Sequence, residues 1–311
     1  MNKLIKYCLL NELDSRRINI PKDPFSVKLL RNEAHFSISN SRVKLERAND
    51  DIDSFRLNFF SQLTQQVLDH FKLGNLKFGF IANFNDGPEN DAVETRFCFA
   101  RPRKSPHICV PDSHINRLSS ICEMIPSWDI PFDEKLDKIS FIGSDTGRKY
   151  PDGTVQRVNF CKLYQNSDEV IAKISNFVEQ PFDPCIYGEP ESIRDQLKYK
   201  FILNINGNTT SWERLIWAMK SNSFCLFLRP PAHQDEISWY YHYFDMLQPF
   251  IYVDEFGADN FIAMSKELTA QVSQLKELQK TYADMFSNID FHANYYAQVL
   301  INYNALVQTS K

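Results

Sequence analysis

Two loops of small and amide residues carry the chemistry that can be read first in this chain. Asn206-Gly-Asn-Thr-Thr-Ser211 follows an apolar run over 199–205 and opens a helical pattern with Trp212, Leu215, Ile216 and Met219 on one face. Loops at the carboxyl ends of strands are where open α/β sheets take ligands. A helix N-terminus offers free N–H groups and a positive dipole end to a phosphate, and Gly207 lets the backbone come close. Asn206, Gly207, Asn208, Thr210 and Ser211 are therefore candidate phosphate ligands. They also have a local reading, because Thr210 and Glu213 stand at the spacing of a capping box. Gly143-Ser-Asp-Thr-Gly147 is a second small-residue loop after a strand. Two such loops on one ligand would suit a diphosphate, while an ordinary tight turn is the plainer account of this loop alone.

Asp86 is the candidate for proton transfer. It sits past a buried-strand pattern over 77–84, and a carboxylate at a strand end beside a cleft can act as a general base. Asn85-Asp86-Gly87-Pro88 is also strong turn chemistry, and taken by itself the turn is the plainer reading. Asp51-Ile-Asp53 has DxD spacing, but it lies in a charged run before a helix, where a solvated helix start explains it. The seven histidines show no HxxxH or mixed Cys/His spacing, which argues against zinc. No GxSxG elbow, GxxxxGK[ST] loop or GxGxxG fingerprint is present.

The elements that must position these residues follow from composition and period. A length of 311 residues fits two ordinary domains or one large one. With 43% hydrophobic and 24% charged residues, disorder is excluded as the dominant state. Lys+Arg 35 against Asp+Glu 39 leaves a net charge of -4, which argues against a general nucleic-acid binder. Aromatics at 14% predict thick cores and ring-lined clefts. Seven cysteines stand singly with no CxxC, the pattern of reduced, buried thiols in a cytosolic protein. The first residues lack a secretory h-region and cleavage site, and no stretch approaches the roughly 20 apolar residues of a membrane span. These features predict a soluble, cytoplasmic protein without a transmembrane segment; peripheral association with a membrane stays open.

His35-Phe-Ser-Ile-Ser and Arg42-Val-Lys-Leu alternate at period two around an Asn-Ser turn, as a hairpin does. From 54 to 72, Phe60, Leu63, Val67 and Phe71 recur at helical spacing, with Gly74 placed as a C-cap. A short strand is expected over 96–99, and 126–138 reads as a connection between domains. Beyond it, 139–142, 199–205, 224–228 and 250–253 read as strands, and the sequence strand–loop–helix–strand is the βαβ unit of a doubly wound sheet. Trp239-Tyr-Tyr-His-Tyr243 reads as core and cleft wall. The chain ends in helix from about 258, with Leu268, Val272, Leu275, Leu278 and Tyr282 on one face.

The segment Lys198-Tyr-Lys-Phe-Ile-Leu-Asn-Ile-Asn-Gly-Asn-Thr-Thr-Ser-Trp resembles the KYK-strand-GN-x-x-S signature of family 90 glycosyltransferases. That group holds lipopolysaccharide-A-like bacterial enzymes, fungal capsule xylosyltransferases and animal protein O-glucosyltransferases. The likeness continues through Ser221-Asn-Ser-Phe into Leu247-Gln-Pro-Phe-Ile-Tyr-Val. Upstream, Pro131-Phe-Asp-Glu-Lys-Leu-Asp-Lys-Ile-Ser-Phe-Ile-Gly-Ser, Phe97-Cys-Phe and His107-Ile-Cys-Val-Pro111 resemble further blocks. Asn85-Asp86-Gly-Pro88 is similar to the family's D-x-P, whose Asp is taken as the base. The resemblance runs from about 76 to 253.

It implies a GT-B architecture, two Rossmann-like domains facing across a cleft. Residues 1–137 would form the acceptor-side domain and 138–285 the nucleotide-sugar domain, with 286–311 a helix returning to the first. It implies inverting, metal-independent transfer of a hexose or pentose from a UDP-sugar to a hydroxyl of a glycan of lipopolysaccharide or capsule type, or of a protein. Asp86 would be the base and no cofactor would be needed. Gly143, Ser144, Asn206, Gly207, Asn208, Thr210 and Ser211 would hold the donor, with Arg101 and His107 on the acceptor side. The family often has Arg in the first loop, where this chain has Asp145, and S-x-R at the helix start, where it has Glu213. Arg157, Arg214 or Arg148 would then supply the diphosphate clamp. A GDP-fucose fucosyltransferase has a similar K-Y-K-F before a helix with Glu-Arg, and a non-catalytic nucleotide- or glycan-binding relative is the other alternative.

Overall fold

The computed structural model describes residues 2–14, 17–86, 92–147, 149–150, 152–210, 213–231, 235–247, 251–258, 260–262 and 269–310. The chain divides into two units. The first joins Met1–Ile115 to Glu236–Leu247 and Ile289–Lys311, and the second joins Asn116–Asp235 to Gln248–Asn288. The first division thus falls at 115 rather than at 137, and 236–247 belongs with the first unit.

In the first unit, β1 (Glu33–Ser39) and β2 (Arg42–Ala48) form the expected hairpin. Asn40 and Ser41 turn it with φ of 51° and 59°, the left-handed pair that matches strand twist. β1 also pairs antiparallel with β3 (Phe78–Asn83), which runs parallel to β4 (Phe97–Cys98), as β4 does to β6 (Ile108–Cys109). This mixed sheet, β2-β1-β3-β4-β6, departs from the all-parallel sheet of a Rossmann-like domain. Two-residue strands β5 (Arg101–Pro102) and β11 (Glu236–Ile237) pair beside it. Helix α1 (Asn2–Glu12) opens the chain; α2 (Ser54–His70) buries Phe60, Leu63, Val67 and Leu68, and Asp53 caps it by accepting the Arg56 N–H at 3.1 Å. The left-handed residue after it is Lys72 (φ 52°), not the expected Gly74. The last helix, α9 (Ile289–Thr309), sends Tyr295, Tyr296 and Tyr303 into the core. Tyr296 hydrogen-bonds Thr64 at 2.8 Å, and Tyr295 stacks on Trp239 at 4.0 Å. α7 (Tyr241–Leu247) completes the unit.

The second unit is a five-stranded parallel sheet, so the protein is of mixed α/β class. Its strands are β7 (Leu136–Ser144), β8 (Val170–Asn176), β9 (Tyr199–Asn204), β10 (Phe224–Leu228) and β12 (Ile251–Val253), in the order β12-β10-β9-β7-β8. Continuous apolar strands suit a sheet covered on both faces. On one face α4 (Gln156–Leu163) packs Val158 and Cys161 with Phe141, Phe201 and Leu203. On the other, α6 (Glu213–Lys220) lies with α8 (Thr269–Phe286), whose Gln279 donates to Cys225 O at 2.9 Å and accepts its N–H at 3.2 Å. Of the stretch 126–138 expected as a connection, 126–128 is the end of α3 (Ile115–Trp128), with Pro126 inside the helix, 132–134 is a 3-10 turn, and 136–138 is already the start of β7. α5 (Ile193–Gln196) is one turn, and the terminal helical pattern breaks at 287–288 between α8 and α9. Among the described residues, no helix is long and apolar enough to cross a membrane.

Candidate functional site

The order of the parallel sheet locates a crevice. From β7 the chain crosses through α4 to β8 at one edge; it then returns to the other side of β7 as β9 and crosses through α6 to β10. Right-handed crossovers in opposite directions put α4 and α6 on opposite faces. The strand order therefore reverses between β7 and β9, and the gap past their carboxyl ends is where such sheets bind ligands. The two glycine loops, 143–147 and 206–210, leave those two strands.

Two arginines cross there. Arg157, on the helix after the first loop, lies against the second, where a Cβ built on Gly207 would stand 3.1 Å from its Nη2. Arg214, on the helix after the second loop, lies against the first, where a Cβ on Gly143 would stand 3.1 Å from its Nη2. Arg157 donates to Ile205 O at 2.9 Å, to Ser144 Oγ at 3.2 Å and to Thr146 Oγ1 at 2.8 Å. Arg214 donates to Ile142 O. Both guanidiniums lie over the Phe141 ring, at 5.6 and 4.9 Å. Among the described residues no carboxylate pairs with either. Burial, and next the charge of Arg214, pull Arg157 down to about 9, and burial pulls Arg214 down to about 10. For Arg157 the charges of Asp145 and Glu179 work the other way, and a guanidinium keeps its proton in proteins, so both side chains stay positive.

The polar atoms around the pair point the same way. Arg214 Nη1, both amide atoms of Asn204 and the Thr209 hydroxyl are buried without a hydrogen-bond partner among the described residues. Asn204 is fully buried at the end of β9. Leaving such groups unpaired costs about 1–3 kcal/mol each, a cost that a bound polar ligand removes. Of the expected donor residues, Gly143, Ser144, Arg157, Asn206, Gly207 and Arg214 are gathered here, with Thr210 buried and Asn208 exposed on the second loop. Ser211, Trp212, Arg148 and residues 248–250 lie outside the described residues.

The acids at the two family arginine positions are accounted for locally. Asp145 is fully buried, and its carboxylate accepts the N–H groups of Val178 at 2.7 Å, Glu179 at 3.0 Å and Gln180. It pins the loop after β8 to the first glycine loop. Glu213 lies 3.6 Å from Arg117.

In the first unit, Asp86 accepts from Arg56 Nη2 at 2.7 Å, and Arg56 Nη1 donates to Phe84 O at the same distance. Gly87 and Pro88 lie outside the described residues. Beyond β6, Asp112 accepts the His114 N–H at 2.7 Å through Oδ1, while its buried Oδ2 has no partner among the described residues. Burial pushes this carboxyl up to about 6, opposed by His114 and Arg56 and helped slightly by Asp86. Sequence reasoning passed over Asp112, although Pro111-Asp112 follows a short apolar run just as Asp86 follows its strand.

The acceptor-side expectation for Arg101 and His107 is corrected. Arg101 is 1% exposed and holds Glu12 by a fork, Nε to Oε2 at 3.1 Å and Nη2 to Oε1 at 3.0 Å. His242 meets the same carboxylate at 2.7 Å. His107 is 2% exposed and its Nδ1 accepts the Arg96 N–H at 3.3 Å. Burial, with the charges of Arg96, Arg101 and Arg17, holds its imidazole down to about 3. Both side chains belong to the interior of the unit. Asp53 caps α2, and Asp51 is an exposed turn residue. Among the described residues no group of three or more His, Cys, Asp or Glu stands ready for a metal.

No family model matches the chain, and no curated protein matches it.

Proposed function

We propose that the crevice past β7 and β9 binds the diphosphate of a nucleotide sugar, and that the chain is an inverting, metal-independent glycosyltransferase of GT-B type. The observation that carries this reading is the crossed pair Arg157 and Arg214, two guanidiniums that form no ion pair with a carboxylate among the described residues, at a reversal of strand order. A diphosphate supplies the missing charge with two anionic groups, one for each arginine, and glycines at both contact points let it approach the backbone. In a transfer reaction the same groups stabilise the diphosphate as it leaves, the task a divalent ion performs elsewhere. Asn204, Thr209 and the loop amides add neutral hydrogen bonds.

The sugar-transfer part rests on the resemblance to family 90 glycosyltransferases, with a UDP-linked hexose or pentose as donor and a glycan or protein hydroxyl as acceptor. The resemblance assigns the base to Asp86. The first unit supports a role for a carboxylate there, since Asp86 leaves the end of a parallel strand, held by Arg56. A thermal-shift panel of UDP-, GDP- and CMP-sugars in EDTA tests the proposal. UDP compounds should raise the melting temperature with no added metal, by about 2.7 kcal/mol of stability at a hundred times their dissociation constant. A panel in which nothing binds, or in which binding needs Mg²⁺ or Mn²⁺, overturns it.

A further inference from the structure

We infer that the first unit carries a docking surface for an anionic phospholipid bilayer, on the face of β1 and β2 that α2 leaves open. Charge is segregated there. From Lys22 to Arg47 the chain holds six Lys and Arg against three Asp and Glu, within a sequence whose net charge is -4. One of those acids, Glu33, is fully buried and paired with Arg96 at 3.0 Å, so it does not reach the surface. The register gathers the cations. Arg42, Lys44 and Arg47 stand opposite Ser39, Ser37 and His35, residues that alternate along one face of β1. Phe36 and Ile38 take the other face into the core, where Phe36 meets Phe60 of α2 at 5.4 Å. β2 is an edge strand, and all three of its cations are exposed.

The 3-10 turn Pro24–Ser26 lies on the same face. Phe25 meets His35 edge-on at 5.8 Å, and a Cβ built on Gly79, the partner of Ser37, would stand 2.7 Å from its ring. The tip of the ring is thus seated on the sheet, while the residue stays 42% exposed between the exposed Lys22 and Lys28. Asp23 is committed to the turn, accepting the Phe25 N–H at 3.0 Å. Glu46 is committed to Lys44 at 2.7 Å and to the Ser37 hydroxyl at 2.6 Å. Charges protect any edge strand from pairing with another chain, but that task asks for neither sign in particular. A surplus of cations around an apolar ring is what a bilayer interface takes, headgroup phosphates meeting the cations and the ring resting among the headgroups. A nucleic acid would find the same charges. A long polyanion also meets the acidic remainder of the chain, however, whereas a bilayer is met by one face alone.

Flotation of the full chain with vesicles tests this. The protein should float with phosphatidylcholine vesicles carrying about one third phosphatidylserine and not with phosphatidylcholine alone. Binding should be lost as NaCl rises from about 0.05 M to about 0.5 M. Arg42→Gln together with Arg47→Gln should weaken it about 25-fold, fivefold or so for each charge, with the melting temperature unchanged. Lys22→Gln together with Lys28→Gln should do the same, and decides the matter if the first pair disturbs the hairpin. Wild-type flotation in the double variants, equal flotation with the uncharged vesicles, or no flotation with the anionic ones overturns the assignment. Flotation lost in Arg157→Ala overturns it as well, by putting the headgroups in the crevice of the second unit. A single-stranded RNA shifted by the wild type and released by the double variants, with no flotation, gives the face to nucleic acid instead.

Discussion

Arg96 and Arg101 in the first unit are buried and Arg157 and Arg214 in the second are half-buried, and the two pairs differ in what answers their charge. Arg101 grips Glu12 by two hydrogen bonds, and Arg96 meets Glu33 at 3.0 Å and Glu94 at 2.8 Å. Among the described residues, Arg157 and Arg214 bond carbonyls and hydroxyls. A dipole answers a full charge poorly in a low dielectric, so the fold answers the charge of the first pair more completely than that of the second. The difference separates arginines paired with carboxylates inside the fold from the two on which the proposed diphosphate site rests.

The comparison breaks most visibly at Arg101. Arg101→Ala should destabilise the first unit by about 3–5 kcal/mol, because it leaves Glu12 charged and buried. Denaturant unfolding reads this directly. Adding Glu12→Gln to an Arg101→Met change should recover much of the loss, since both charges then go together. Next in size are Arg157→Ala and Arg214→Ala. Each should cost about 1.5–3 kcal/mol of UDP affinity by calorimetry, while the melting temperature of the ligand-free protein stays level or rises. An arginine that proves essential for folding but neutral for UDP would erase the contrast with Arg101. The smallest expected effect sharpens the crossing itself. Gly207→Ala places a methyl 3.1 Å from Arg157 Nη2, with no backbone strain at that position, and should weaken UDP binding by about 1 kcal/mol without changing stability.

Much of this was legible in the sequence, for identifiable reasons. The runs at 139–142, 199–205 and 224–228 are apolar enough to name a covered parallel sheet, and the Asn40-Ser41 turn names its hairpin. The two loops were found by their glycines. What escaped was long-range. That Arg157 reaches Gly207 and Arg214 reaches Gly143 depends on which strand lies beside which, and no local period records it. α4 went unread because Arg157 and Asn159 interrupt its apolar stripe, and β8 because its alternation follows a polar turn. Asp145 looked like a missing arginine, yet its partners are three backbone N–H groups more than thirty residues away. Arg101 and His107 sit in motifs that suggest a surface, and their burial is decided by Glu12 and Arg96, from other parts of the chain.

The three-part make-up of the first unit has a consequence for how the protein is made. Its sheet and the helix α2 come before the second unit in the chain, but the aromatic rings that close its core, Tyr295, Tyr296 and Tyr303, come after it. The second unit is complete some twenty residues earlier, at Asn288. The second unit can therefore close before the first does, and until α9 follows it the face built around Phe36, Phe60 and Phe80 lacks the ring of Tyr296.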